Sequence, residues 1–107
     1  MTSFGKFIKS ERESHNWTQT DFGAKIGINS SAISRIENGT KILSSSKIKV
    51  ISQIIEIDIK ILRDLYFADK FAREAFKNHC SNNVFTAAKE TLDYIENKNA
   101  KQAELIF

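Results

Sequence analysis

The chain of 107 residues contains no proline, only four glycines and a single cysteine. Without proline, helices run until a cap or a left-handed residue stops them. The lone Cys80 excludes an internal disulfide framework and suits a reducing compartment. Two histidines, His15 and His79, are too few to build a zinc site with one thiol, so no metal is expected. No apolar run reaches membrane-spanning length, and no signal-peptide core opens the chain, so a cytoplasmic location is expected. No stretch alternates with period two long enough to make a strand. These absences leave an all-helical chain. Its composition, 41% hydrophobic and 27% charged, is that of a globular protein.

The net charge of +3 is unevenly placed. Residues 1–57 carry eight basic side chains (Lys6, Lys9, Arg12, Lys25, Arg35, Lys41, Lys47 and Lys49) against five acidic ones, while the remainder is balanced. A basic half beside a neutral half points to a phosphate-facing region joined to one with another task.

Helical periodicity and capping residues predict the element order. A first helix spans about Ser3 to His15, capped by Thr2 or Ser3 and ended by Asn16, with Trp17 as a buried anchor. Thr18 opens the next helix with a capping box to Asp21. Gly27 breaks it, Asn29 caps a helix over Ser30–Asn38, and Gly39 ends that one. A fourth helix follows Ser44–Ser46 with Ile48, Ile51, Ile54 and Ile55 on one face. Asp58 caps a fifth, whose Ile61, Leu62, Leu65 and Tyr66 face inward and which reaches about Asn78. A last helix covers about Val84–Asn97, with Phe85, Ala88, Leu92 and Ile95 on one face and a partly ordered tail beyond.

The segment from Gln19 to Gly39 has the order of small, apolar and polar positions that a helix-turn-helix requires. Gly23, costing about 1 kcal/mol of helix propensity, fits a close crossing that any larger side chain would push apart. Gly27 fits a turn with positive φ. With Phe22, Ile26, Ile28, Ile33 and Ile36 turned inward, Ser30, Ser31, Ser34 and Arg35 are left on the outer face of the second helix. In this docking geometry that face meets base edges in the major groove. Arg35 suits guanine, with two hydrogen bonds worth about 1–3 kcal/mol of discrimination. Gln19, Asn38, Lys41 and Lys47 flank the groove as phosphate contacts. Arg12 and Glu37 are expected to form a partly buried structural ion pair.

These residues make the chain resemble the phage-repressor (lambda-like, Xre-type) helix-turn-helix family. The resemblance runs from about Phe4 to Leu65 through Ile8 and Arg12, W-T-Q at 17–19, G-I-N at 27–29, I-S-R-I-E-N-G at 33–39 and I-D-I-K-I-L at 57–62. It implies a five-helix lambda-repressor-like DNA-binding domain, here residues 1–66, with a C-terminal helical extension, residues 67–107. It further implies a homodimer on a two-fold related operator in double-stranded DNA, with base contacts from Ser30, Ser31, Ser34 and Arg35. Gln19, Asn38 and Lys41 would then hold phosphates. The sequence departs from the family at Glu11, usually apolar, and near Leu43, where a proline is common.

The extension, with Phe71, Phe76, Phe85 and Ile95, either pairs two subunits or closes the monomer's core. It resembles extensions on small regulators, some encoded beside restriction–modification genes. The expected function is a sequence-specific transcriptional regulator, a repressor, with no cofactor and no catalytic constellation. The alternative is an antitoxin-like protein-interaction module whose DNA binding is secondary.

Overall fold

The computed structural model describes the backbone of residues 3–106 and the side chains of residues 3–100. It is helical throughout, with α1 (Phe4–Ser14), α2 (Gln19–Ile26), α3 (Ser30–Asn38), a 3₁₀ turn (Ser45–Lys47), α4 (Ile48–Ile55), α5 (Ile59–Lys77) and α6 (Asn83–Ile106). Two compact units divide within α5, residues 1–71 and 72–107.

Local chemistry sets most of the boundaries. The Ser3 hydroxyl accepts from the Lys6 amide to start α1, and Asn16, with φ 58°, ends the turn behind it. Thr18 and Asp21 form the reciprocal capping box of α2, and Gly27 closes that helix in the left-handed region at φ 75°. The Asn29 side chain accepts from the Ala32 amide to open α3, and Gly39, at φ 85°, ends it. Asp58 takes the Lys60 amide at 2.7 Å ahead of α5. Thr2, the other cap considered for α1, lies outside the described residues.

In the first unit a single core gathers Phe4, Ile8, Phe22, Ile26, Ile33, Ile36, Leu43, Ile48, Ile51, Ile55, Leu62 and Tyr66. The bonds that close it join distant parts of the chain. The Phe4 amide donates to the Asp69 carboxylate at 2.8 Å, so α5 supplies a negative group to the start of α1. The Tyr66 hydroxyl donates to the Leu43 carbonyl at 2.6 Å. That bond pins the loop before α4, where the chain lacks the family's proline. Burial raises the Tyr66 phenol above its ordinary pKa. Gly5 lets α1 cross α3 closely, because a Cβ there would overlap the Ile36 carbonyl oxygen and press on that of Glu37.

Three expectations need correction. Ile61 is 55% exposed rather than inward, since the core-facing stripe of α5 runs through Leu62 and Tyr66. Trp17 is only half-buried: it stacks on His15 (4.4 Å between ring centroids), and the Lys25 ammonium sits 4.8 Å above its ring. The last helix does not stop near Asn97 but continues to Ile106, because no glycine or proline interrupts it. Helix four follows the serine run as expected, with Ser45–Lys47 forming a 3₁₀ lead-in to it.

In the second unit Ala75 is buried, whereas Phe76 is 85% exposed. Within α6, Val84 and Ala88 are half-buried, and every side chain from Lys89 to Ala100 is exposed.

Candidate nucleic-acid interface

The outer surface of α3 is set by what its inner surface must bury. Ala32, Ile33, Ile36 and Glu37 are buried, which turns Ser30, Ser31 and Arg35 to solvent and leaves Ser34 half-buried. The Arg35 Nε donates weakly to the Ser31 carbonyl one turn back, at 3.4 Å. The guanidinium therefore lies along its own helix instead of entering the interior. Ser31 donates its hydroxyl to the Asn29 Oδ1 at 3.0 Å, so it is partly engaged in the cap that starts α3. Four site residues thus share one helix face, three of them exposed.

Gly23 makes the motif tight, although its neighbour is not the one expected from the sequence. A Cβ at Gly23 would fall on the Ile28 carbonyl oxygen, in the turn itself, and only then touch Ile33 of α3 at 3.4 Å. The Ile28 amide donates to the Gly23 carbonyl at 2.8 Å, so the turn folds back onto this bare position. Lys47 brings its ammonium to Gly27, 3.3 Å from where a Cβ would lie. A cation there faces the carbonyl end of α2, a favourable position for the helix dipole.

Beneath the surface lies a charged network. The Arg12 Nε donates to Glu37 Oε2 at 2.7 Å and its Nη2 to Oε1 at 3.0 Å, a two-pronged pair. The remaining Arg12 nitrogen donates to the Trp17 carbonyl at 2.9 Å. Glu37 Oε1 also accepts from the Gln19 amide nitrogen at 3.2 Å. The Glu37 side chain is only 3% exposed. Its hydrogen bond to Arg12, helped by its charge, holds the guanidinium pKa above the ordinary value despite the opposing effect of burial. One carboxylate thereby ties α1, the start of α2 and the end of α3 together.

The flanking residues are placed unevenly. Gln19 is half-buried with its side chain committed to Glu37, so a phosphate at this helix start would meet backbone N–H groups beside an oriented amide. Asn38 is exposed, and its Oδ1 accepts from both the Thr40 amide (3.0 Å) and the Thr40 hydroxyl (2.8 Å), which fixes the side chain. Lys41 is exposed, and its amide returns to the Arg35 carbonyl at 3.2 Å.

Sequence reasoning missed Gly5, Thr40 and Asp69. Gly5 carried a usable signal, since a glycine in the first turn of a capped helix has the propensity cost that marked Gly23. Asp69 carried none, being 65 residues from the amide it accepts. Among the described residues no three His, Cys, Asp or Glu side chains come together as a metal site. No described helix is long and apolar enough to cross a membrane.

Comparison with known proteins follows the same geometry. The profile of the helix-turn-helix family matches residues 8–62, just over half of the chain. The antitoxin PezA of Streptococcus pneumoniae serotype 4 (strain ATCC BAA-334 / TIGR4) is 45% identical over 49 residues, which is 46% of this chain and 31% of that protein. The chain thus spans under a third of that curated relative's length. Among solved structures, the fold is similar to the P22 c2 repressor in complex with a synthetic operator, with a TM-score of 0.52, 19% identity, and coverage of 58% of this chain and 94% of that one. It is also similar to a chain of the SinR protein/SinI protein complex, with a TM-score of 0.50, 22% identity, and coverage of 91% and 98%. At these identities the two likenesses establish the fold.

Proposed function

Because the chain belongs to the helix-turn-helix family of phage-repressor type, we propose that it is a DNA-binding transcriptional regulator. It acts as a repressor, a homodimer on a palindromic operator. The observation that carries this reading is the open face of α3, where Ser30, Ser31 and Arg35 point to solvent from a helix anchored below by Arg12, Glu37 and Gln19. A rigidly seated helix with a bidentate-capable arginine in its centre suits insertion into a major groove. Gln19, Asn38, Lys41 and Lys47 supply the phosphate contacts around it. The likeness to the P22 c2 repressor bound to operator DNA supports the same mode of docking. A cytoplasmic setting accompanies this role.

Selection from random duplexes should enrich one two-fold related sequence, with half-sites about 34 Å apart or a multiple of that distance. Binding should fall steeply with salt as counterions are released. Arg35→Ala should relax preference at one base pair in each half-site by about 1–3 kcal/mol. Enrichment of no common sequence would overturn the reading. An equal loss on all sequences would instead make Arg35 a phosphate contact.

A second reading is favoured by the 45% identity to an antitoxin over 49 residues. In it the chain is a protein-interaction module and residues 67–107 clamp another protein. Those residues would then be cut readily by protease in the protein alone and protected only by the product of a neighbouring gene.

A further inference from the structure

Phe85, Ala88, Leu92 and Ile95 of α6 fall at the three- and four-residue steps of a coiled-coil seam. Asn99, exposed, continues the same line. Val84 and Ala88 are half-buried at its start, but Leu92 and Ile95 remain 50% and 47% exposed at its centre. A helix with so much of its length surrounded by water is marginal without tertiary packing. The seam therefore calls for a second helical surface.

The flanks of the seam say which one. Lys89 and Glu96 stand on one side, Thr91 and Lys98 on the other. In a parallel pair of copies the facing flank positions are Val84 with Lys89 and Thr91 with Glu96, and no opposite charges meet. In an antiparallel pair with Leu92 against Ile95 of the partner subunit, Lys89 faces Glu96 of the partner subunit, and the reverse pair forms by symmetry. The two-fold axis then passes between residues 93 and 94, within about one residue of the midpoint of Asn83–Ile106, so the helices overlap along nearly their whole length. A shift by one heptad toward the start would set Lys89 against Lys89 of the partner subunit and leave the last turns overhanging. Lys89 already holds Asp93 of its own chain at 3.0 Å. An ammonium has three donors, so a second carboxylate can join without displacing the first.

We propose that α6 pairs antiparallel with α6 of a second copy of this chain, in the register that places Leu92 on Ile95 and Lys89 on Glu96. The proposal rests on the homodimer reading above and gives that dimer its interface.

Sedimentation equilibrium on the full chain, with Cys80 kept reduced, tests it. The wild type should dimerise, and Leu92→Glu should weaken the dimer by more than about a hundredfold, because each copy would bring a charge into the seam. Lys89→Glu and Glu96→Lys should each weaken it by roughly three- to thirtyfold, the range expected for two exposed ion pairs. An equimolar mixture of those two variants should recover a dimer as tight as the wild type, since both charge pairs are rebuilt between unlike chains while neither chain is altered further. A mixture no tighter than its components overturns the register. A wild type that stays monomeric at tens of micromolar, or a Leu92→Glu chain that assembles normally, overturns the interface. Operator selection on the same Leu92→Glu protein separates this outcome from the regulator reading. A monomer that still prefers one half-site retains its DNA-reading face, whatever the fate of the seam.

Discussion

Residues 3–71 and residues 72–100 treat the same kinds of side chain in opposite ways. In the first region Phe4, Phe22 and a set of isoleucines converge from five helices on one core, and the buried Glu37 is fully hydrogen-bonded. In the second, Phe76, Leu92, Tyr94 and Ile95 stand largely in water on helices of good intrinsic propensity. The first region is stabilised by its own burial. The second leaves its apolar side chains in water, and it is on this exposed surface that the proposed pairing rests. The difference teaches that apolar periodicity alone does not distinguish a core from an interface; what decides is whether enough other elements surround it.

The sharpest way to break this contrast is a pair of identical truncations. Phe22→Ala should cost about 3–5 kcal/mol in denaturant unfolding, through lost burial and the cavity left behind. Phe76→Ala should change monomer stability by less than about 0.5 kcal/mol, because its ring is already solvated. Comparable losses at both sites would erase the distinction.

Next in size is Glu37→Ala, expected to cost about 3 kcal/mol by leaving the Arg12 guanidinium without its carboxylate in a nearly closed site. The same unfolding measurement checks it. The loss should be accompanied by weaker DNA binding, since Gln19 loses its anchor as well.

Gly23→Ala is decided by competing magnitudes. Alanine would gain about 1 kcal/mol in helix propensity, but its Cβ would land on the Ile28 carbonyl oxygen. A backbone atom in the turn yields less readily than a side chain, so a net loss of about 1–3 kcal/mol is expected. Stabilisation on thermal melting would show that the turn can shift.

The smallest effect is pH-dependent. The Thr18 backbone amide, donating to the Asp21 carboxylate at 2.9 Å, and a bond to the Thr18 side chain hold the Asp21 pKa below the ordinary carboxyl range. A carboxyl whose folded pKa is depressed stabilises the protein above its unfolded value, about 3.9, and loses that contribution as pH falls through the folded one. Asp21→Asn should therefore be slightly less stable than wild type at neutral pH. The gap should close as pH drops from about 5 toward 2, and a gap constant over that window would remove the charge from the account.

How much of this was legible in the sequence depended on the range of each interaction. The capping box at Thr18, the left-handed Asn16, Gly27 and Gly39, and the Asn29 cap all act within a few residues, and each left a local mark. The outward face of α3 followed from its buried isoleucines. The Arg12–Glu37 pair was expected from the placing of its two residues on the first and third helices, whereas the additional Gln19 and Trp17 partners emerge only in three dimensions. Ile61 was misread because helical spacing near the start of α5 fits two neighbouring stripes, and only the position of Leu62 and Tyr66 over the core selects one. The end of α6 was set too early because a polar, lysine- and asparagine-rich stretch resembles a tail, yet nothing in it stops a helix.

The carboxylate that α5 lends to the first amide of α1 bears on how the protein can be trimmed. A fragment ending at residue 66 would keep Tyr66 and its hold on Leu43 but discard Asp69, exposing the opening turn that Gly5 seats against α3. A minimal DNA-reading fragment should therefore be cut no earlier than Phe71, with the rest of α5 sacrificed before that acidic clasp.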